Sequence, residues 1–304
     1  MTAADFGKVA VLMGGPSAER DVSLNSGARV LAALQAGGVN AHGIDADPAV
    51  LKQLREEQFD RAFIVLHGRW GEDGVIQGAL EVLGIPYTGS GVLASALAMD
   101  KWRSKLILRQ AGIPTADFEL LKTVADIPAA AKRLGLPLFI KPSREGSSIG
   151  TAKVDNLEEM EQAWRAAREF DDDVLAESWI NGPELTAAIL GDEVLPLIRI
   201  EAATGFYDYE AKYVGDATRY HCPTGLSAET EQLVSHWAKQ TFDVLGCRGW
   251  GRVDFMLDQD NRPYVLEANT IPGMTDHSLV PMAAKAAGMD FEQLTLRILE
   301  QAHG

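Results

Sequence analysis

Arg252, Asp254, Glu267 and Asn269 are the residues of this chain whose types and spacing most readily do chemistry. They fall in two apolar-alternating runs, Arg252 to Leu257 and Tyr264 to Asn269, around the polar segment Asp258-Gln259-Asp260-Asn261. That pattern predicts a β-hairpin. Alternation puts Arg252, Asp254 and Met256 on one face, and Val265, Glu267 and Asn269 on a face of the partner strand. A register centred between Asp260 and Asn261 sets Asp254 opposite Glu267 and Arg252 opposite Asn269. Two opposed carboxylates repel at a cost of roughly 0.2–1 kcal/mol. A divalent cation between them reverses that sign, and carboxylate and amide oxygens are the hard donors suited to Mg²⁺ shared with phosphates. A hairpin with one wet, charged face accounts for the same residues equally well.

Other stretches could join such a site. Ser143-Arg144-Glu145-Gly146-Ser147-Ser148-Ile149-Gly150 reads as a hairpin tip whose backbone N–H groups could wrap a phosphate, with Lys141 at its mouth. A plain mobile hairpin has the same composition. His67, beside glycines after an apolar run, could be an acid–base group or an anion-side donor; read alone, it is a solvated loop histidine. Glu19, after Gly14-Gly15, is a weaker candidate. Glu177-Ser178-Trp179-Ile180 reads as an interdomain linker or as a strand end with Trp179 in the core. Trp70 and Trp250 read as packing, and the remaining histidines show no metal spacing.

The elements that must position these residues are legible in the pattern. Lys8–Met13 and Arg61–Leu66 are short apolar runs of the buried parallel-strand type, each followed by a glycine-bearing loop and a helix. One helix carries Val22, Ala28, Val30, Leu31 and Leu34; the other spans Val75 to Leu83. Repetition of strand, loop and helix is the signature of a doubly wound α/β unit, whose ligands bind beyond the strands' carboxyl ends. From Asp100 the pattern turns α+β. Helices are predicted at Lys101–Gln110, Ala129–Leu134 and Asn156–Phe170, the last with a capping box from Asn156 to Glu159. Strands are predicted at Phe118–Leu121, Leu138–Pro142, Thr151–Val154 and Val174–Glu177. A β-pair around Gly191-Asp192 follows, then a polar, aromatic-rich docking loop from Ala202 to Leu226. A helix faced by Leu233, Trp237 and Val244 precedes the charged hairpin, and Phe291, Leu294 and Ile298 mark a closing helix.

At 304 residues the chain is long enough for two or three domains. Its net charge of -15 speaks against non-specific nucleic-acid binding. Only two cysteines are present, Cys222 and Cys247, so no disulfide framework or zinc site is indicated. No signal peptide and no membrane-length apolar run is apparent, which makes a cytoplasmic location the expectation. G-x-x-x-x-G-K-[ST] is missing, and the Gly14 loop lacks G-x-G-x-x-G. A lysine-bearing glycine/serine hairpin together with a carboxylate hairpin that holds an arginine suits Mg²⁺-assisted phosphoryl chemistry without a P-loop.

Over essentially its full length the sequence resembles the D-alanine–D-alanine ligase family of the ATP-grasp superfamily. The resemblance is carried by Gly14-Gly15-Pro16-Ser17-Ala18-Glu19-Arg20, His67-Gly68-Arg69 with Gly71-Glu72-Asp73-Gly74, Lys141 to Ser148, Tyr209-Glu210-Ala211-Lys212-Tyr213, Gly251-Arg252-Val253-Asp254, and Leu266-Glu267-Ala268-Asn269-Thr270 with Pro272-Gly273-Met274. It implies an ATP-grasp fold of mixed α/β and α+β class. The implied division is an N-terminal doubly wound domain (1–99), a central domain (100–182) and a C-terminal domain (183–304), the last two gripping ATP. Implied activity is ATP-dependent ligation of two D-alanines through an acyl phosphate for peptidoglycan precursors, with D-alanine–D-lactate or D-alanine–D-serine ligation as the alternative. By the same resemblance Asp254, Glu267 and Asn269 hold two Mg²⁺, which Mn²⁺ can replace. Lys101 and Lys141 take phosphates, and Glu177, Ser178, Trp179, Ile180, Glu184 and Lys212 complete the ATP site. Glu19, His67, Arg252, Gly273, Ser278 and Leu279 contact substrate, and Ser147 and Tyr213 bond with Glu19 to close the site. A homodimer, without nucleic acid or membrane partners, is implied as well. Trp70, Ser178 and Ile271 depart from the family's usual small residue, lysine and serine; Ser178 leaves the adenine side to backbone contacts.

Overall fold

The computed structural model of the chain describes residues 3–201 and 218–303. Three sheets organise it. In the first, β1 (Lys8–Met13) lies between β2 (Asn40–Asp45) and β3 (Arg61–Ile64), all parallel. Val9 to Leu12 and Ala62 to Ile64 are fully buried, as continuously apolar strands covered on both faces must be. Helix α1 (Arg20–Ala36) packs on this sheet, α2 (Val50–Glu56) follows β2, and α3 (Val75–Leu83) follows the loop after β3. The buried side of α1 differs from the expected apolar set. It is Ser23, Ser26, Gly27, Val30 and Leu34, because a close approach to Met13 leaves no room for a side chain at Gly27.

The second sheet is antiparallel, in the order β4 (Phe118–Leu121), β7 (Val174–Ser178), β5 (Leu138–Pro142), β6 (Ala152–Val154). Helices α6 (Ile127–Leu134) and α7 (Leu157–Arg168) cover one face and share a core with Ile140, Val154 and Ala176. Asn156 caps α7 by accepting from the Glu159 N–H at 3.0 Å, while the Glu159 carboxylate reaches back one residue further than expected, to the Asp155 N–H.

The third sheet runs β11 (Arg219–His221), β10 (Ile198–Glu201), β8 (Glu184–Leu190), β12 (Trp250–Leu257), β13 (Pro263–Asn269), with β9 (Glu193–Val194) beside β8. The docking loop expected over 202–226 therefore gives up Arg219–His221 to a strand, and residues 202–217 lie outside the described ones. Helix α8 (Ala228–Val244) buries Val234, Ala238, Thr241 and Phe242 against this sheet. Leu233 and Val244, expected on that face, are exposed: the spacing i, i+4, i+8 runs through Val234.

Connections cross between these layers. Helices α4 (Val92–Met99) and α5 (Lys101–Gln110) contribute Ala94, Ala98 and Leu108 to the core of the third sheet. Helices α9 (Leu279–Ala286) and α10 (Phe291–Glu300) return to the core of the first, where Leu294 and Ile298 are buried. Among the described residues no helix is long and apolar enough to cross a membrane.

Candidate active site

The β12–β13 ladder pairs Arg252 with Asn269 and Asp254 with Glu267, as the register argument expects. One residue on, the register shifts, and Phe255 faces Val265 instead of Leu266. This bulge corrects one expectation. Val265 does not share a face with Glu267; it is buried with Ala268 beneath the sheet, whereas Leu266 and Glu267 both line the cleft. The inserted residue re-aims the strand, as bulges beside sites do.

Asp254 is nearly buried and fully engaged. Arg252 donates to it from Nε and Nη2, each at 2.8 Å, Asn269 donates from Nδ2 at 2.9 Å, and Thr186 donates from Oγ1 at 2.7 Å. Glu267 pairs with the Lys101 ammonium at 3.0 Å. Burial works against the charge on Lys101, but Glu267 beside it, together with Glu177 and Glu72, holds its pKa above the usual value. Among the described residues no cluster of three or more His, Cys, Asp or Glu has the arrangement of a metal site. The smaller donor set nevertheless fits a divalent cation. Two carboxylates meet across the ladder beside an amide, hard oxygen donors of the kind such an ion takes, and Lys101 and Arg252 hold the carboxylate charge in its place.

A cleft between the second and third sheets is lined by Lys101, Lys141, Glu177, Ser178, Trp179, Ile180, Glu184, Asp254 and Glu267. Lys141 pairs with Glu177 at 2.8 Å. Trp179 is not in a core. It stacks on Phe139 with ring centroids 5.5 Å apart, and both border the cleft. The Ser178 hydroxyl turns away to the Leu134 carbonyl at 3.4 Å.

A second pocket adjoins the first, and Gly146, Ser147 and Glu267 line both. Its other walls include Glu19, His67, Glu72, Arg252, Gly273, Ser278 and Leu279. The loops after β1 and β3 are brought together by Ser23, which accepts from the Gly14 N–H at 2.9 Å and donates to the Val65 carbonyl at 2.7 Å. Glu19 ends up buried and accepts a hydrogen bond from the Ser147 hydroxyl. Ser147 and Ser148 hold φ of +52° and +59°, a left-handed turn that non-glycine residues adopt at a cost. Arg69 secures the tip by bonding Glu145 at 2.7 Å and the Phe170 carbonyl at 2.8 Å.

His67 is not a solvated loop histidine. It is 5% exposed, with Nδ1 3.0 Å from the Ile271 carbonyl, so the neutral ring carries its proton on Nδ1. Its Nε2 has no hydrogen-bond partner among the described residues. Burial lowers its pKa; Arg252 adds to that, while Glu19 and the Ile271 carbonyl oppose it. Ser278 stands at the N-cap of α9, where Thr275 donates to its hydroxyl at 2.9 Å.

These two adjoining pockets on three sheets have close counterparts among known proteins. Residues 107–300 match the model described as "D-ala D-ala ligase C-terminus", and residues 45–90 the one described as "D-ala D-ala ligase N-terminus". The chain belongs to the D-alanine–D-alanine ligase family. A D-alanine–D-alanine ligase of Nitrosospira multiformis is 59% identical over 98% of both chains, and one of Aromatoleum aromaticum is 59% identical over 98% of this chain and 97% of the other. The crystal structure of D-alanine–D-alanine ligase from Bacillus anthracis superposes with a TM-score of 0.87 at 38% identity, covering 97% of each chain. A D-Ala:D-Ser ligase, VanG from Enterococcus faecalis, superposes at 0.83 with 32% identity, covering 97% of this chain and 99% of that one. These neighbours carry the ATP-grasp architecture expected from the sequence.

Lys212 and Tyr213, assigned to this site by resemblance, lie outside the described residues. Residues that the sequence reading passed over also border it. Thr186 holds Asp254, and Glu72 sits beside Glu19 in the second pocket while accepting from the Gly68 N–H at 2.6 Å. Burial, reinforced by the Glu19 charge, pushes the Glu72 carboxyl up to about 8. The motif Gly71-Glu72-Asp73-Gly74 stands in the sequence, but nothing in it announces a buried neighbouring carboxylate.

Proposed function

We propose that the protein joins two D-alanine molecules at the expense of ATP, giving D-alanyl-D-alanine for peptidoglycan precursors. The observation that carries this reading is the junction at Ser147 and Glu267, where a lysine-lined cleft opens onto a pocket with an acid, a histidine, an arginine and a helix N-terminus. An activated intermediate formed at that junction would pass from one partner to the other without release.

A carboxylate does not acylate an amine at neutral pH. A carboxylate oxygen of the first D-alanine therefore attacks the γ-phosphorus of ATP, the β–γ bridging P–O bond breaks, and ADP leaves an acyl phosphate. The amine of the second D-alanine then attacks the acyl carbon, the C–O bond to phosphate breaks, and the nitrogen sheds its proton. Lys101 and Lys141 would exchange their present partners, Glu267 and Glu177, for phosphate oxygens, acting as point charges. Two Mg²⁺, or Mn²⁺ in their place, would be held by Asp254, Glu267 and Asn269 and would supply neutralisation of the phosphate charge. Phe139, Trp179, Ile180 and Glu184 would frame the nucleoside, with backbone groups serving at Ser178. Glu19 takes the ammonium of the first substrate, and His67 meets its carboxylate. Arg252 and the Gly273 N–H stabilise the charge that develops on the transferred phosphoryl group and the tetrahedral oxyanion. Ser278 and the Leu279 N–H, at the start of α9, take the second carboxylate, which a helix N-terminus favours. Lys212 and Tyr213 would complete the ATP side and the tie to Glu19. Closure of the 143–150 tip excludes water from the acyl phosphate.

The same reading divides the chain at 99/100 and 182/183, which separates the sheets although the cores cross both boundaries. It also includes a cytoplasmic homodimer without nucleic-acid or membrane partners. Val82 on α3 and Leu93 on α4, 88% and 71% exposed, are apolar surface in keeping with a subunit contact. D-Serine or D-lactate ligation has less support, since the curated relatives at 55–59% identity are D-alanine ligases and the D-serine enzyme is at 32%. Purified protein with ATP and Mg²⁺ should release ADP and form a dipeptide with D-alanine and not L-alanine. ATP turnover indifferent to amino acid would overturn the assignment.

A further inference from the structure

Lys105 lines neither pocket, yet it is 1% exposed. An ammonium is rarely buried unless it is paired, because desolvation costs several kcal/mol. Its Nζ donates to Thr115 Oγ1 at 2.6 Å and to the Val265 carbonyl at 3.4 Å, and it forms an ion pair with Glu177 Oε1 at 3.3 Å. The other Glu177 oxygen holds Lys141 at 2.8 Å. Thr115 in turn donates to the Val265 carbonyl at 2.8 Å and bridges β13 alongside it. Val265 is the last residue before the bulge that turns Leu266 and Glu267 into the cleft. One side chain on α5 thus touches both the strand that ends in the adenine-side segment and the strand that carries Glu267.

We propose that Lys105 is a positioning residue for the nucleotide: it locks the Glu177–Lys141 pair of the second sheet to the bulged strand of the third. The proposal rests on Lys141 binding phosphate. Two ammoniums share one carboxylate, so the group keeps a surplus positive charge and Lys141 is only half claimed by Glu177. Without Lys105, Glu177 would hold Lys141 alone, the surplus would vanish, and Lys141 would be less free to take a phosphate. The bulge would lose its pin from the nucleotide side. Burial, countered by Glu177 and assisted by the Lys141 charge, brings the Lys105 pKa down to about 8, in keeping with a desolvated but still cationic group near neutrality.

The test is steady-state kinetics of Lys105→Met beside Lys141→Met, with melting curves to fix a temperature at which each is folded. For Lys105→Met we expect the KM for ATP to rise about tenfold, from loss of one nearby charge, while the KM values for D-alanine stay within about twofold, since Glu177 and Lys141, which Lys105 acts through, line the first pocket and not the second. An unchanged KM for ATP with only a lowered Tm would overturn the proposal and leave Lys105 as a structural ion. If Lys141→Met also left the KM for ATP unchanged, the nucleotide-site assignment itself would fail, a separate outcome. Should Lys105→Met not fold, Thr115→Val keeps the charge and removes the hydroxyl that Lys105 and the Val265 carbonyl share. It should raise the KM for ATP roughly threefold, and no change there would equally overturn the proposal.

Discussion

Asp254 and Glu267 face one another across the β12–β13 ladder only because the strands slip by one residue immediately beyond them. Without the slip the turn would be centred on Asp260 throughout, as Phe255–Val265 and Met256–Tyr264 are paired, and Asp254 would meet Leu266. The bulge therefore builds the carboxylate pair. Either Asp254→Asn or Glu267→Gln should lower kcat by at least about tenfold to a hundredfold, the range seen when a metal's supporting shell is damaged, with far less effect on folding. The check is kcat against Mg²⁺ concentration alongside a melting curve. Near-normal turnover at saturating Mg²⁺ would remove these carboxylates from the metal site.

His67 gives a second expectation. Its buried, neutral ring offers a lone pair at Nε2, because Nδ1–H is committed to the Ile271 carbonyl. A substrate carboxylate placed there would be repelled unless the ring takes up a proton. Binding of the first D-alanine should therefore be accompanied by proton uptake and should weaken as pH rises through neutrality. Calorimetric titration in buffers of different ionisation enthalpy measures this directly. A buffer-independent heat, or one identical in His67→Gln, would show that His67 stays neutral on binding.

Many of the elements that position this site are legible in the sequence, and those that are not have physical causes. The motif strands β1, β4 and β5 and helices α3 and α5 lie where apolar period and glycine or proline punctuation put them, since local pattern dictates those elements. Strand β2, Asn-Ala-His-Gly-Ile-Asp, escaped because only Ala41 and Ile44 are buried in it and alternation is lost. On α8, Leu233 and Val244 are apolar but exposed, so composition alone points one residue away from the buried face. The bulge was invisible: a single extra residue changes the faces of Val265 and Leu266 without altering any residue type. Lys105 and Glu72 were invisible for a different reason, because burial of a charge depends on what arrives from elsewhere in the chain.

Glu72 makes stability depend on pH. Burial pushes its carboxyl up to about 8 in the folded protein, against about 4.5 for a glutamate in water. Between those values the folded state holds a proton that the unfolded state has released, so stability falls as pH rises from about 5 to 8. Glu72→Gln, neutral throughout, should flatten that part of the curve. Melting temperatures of both proteins, without ligands, across this range provide the measurement; identical slopes would mean that Glu72 is ionised in the fold.

Trp70 is the residue at which a departure from the family's usual small side chain meets a backbone constraint. Its φ is +74°, a left-handed conformation that costs a non-glycine residue roughly 1–2 kcal/mol. Its N–H is tied to Asp73 at 2.8 Å, so the loop does not relax to avoid the strain. The indole packs against the core of the first sheet and closes over Gly15. An indole of this kind covers on the order of 150 Å² of apolar surface, which at about 25 cal/mol per Å² stabilises by roughly 3–4 kcal/mol. Packing therefore outweighs strain. Trp70→Gly should relieve the backbone and still destabilise the protein by about 1–3 kcal/mol, the difference of those estimates, with kcat little changed because the side chain lines neither pocket. Urea unfolding of the two proteins, paired with initial rates at saturating ATP and D-alanine, decides the sign. A glycine variant as stable as the parent would mean that strain cancels the packing, and a large fall in kcat would mean that Trp70 also shapes the turn that presents His67.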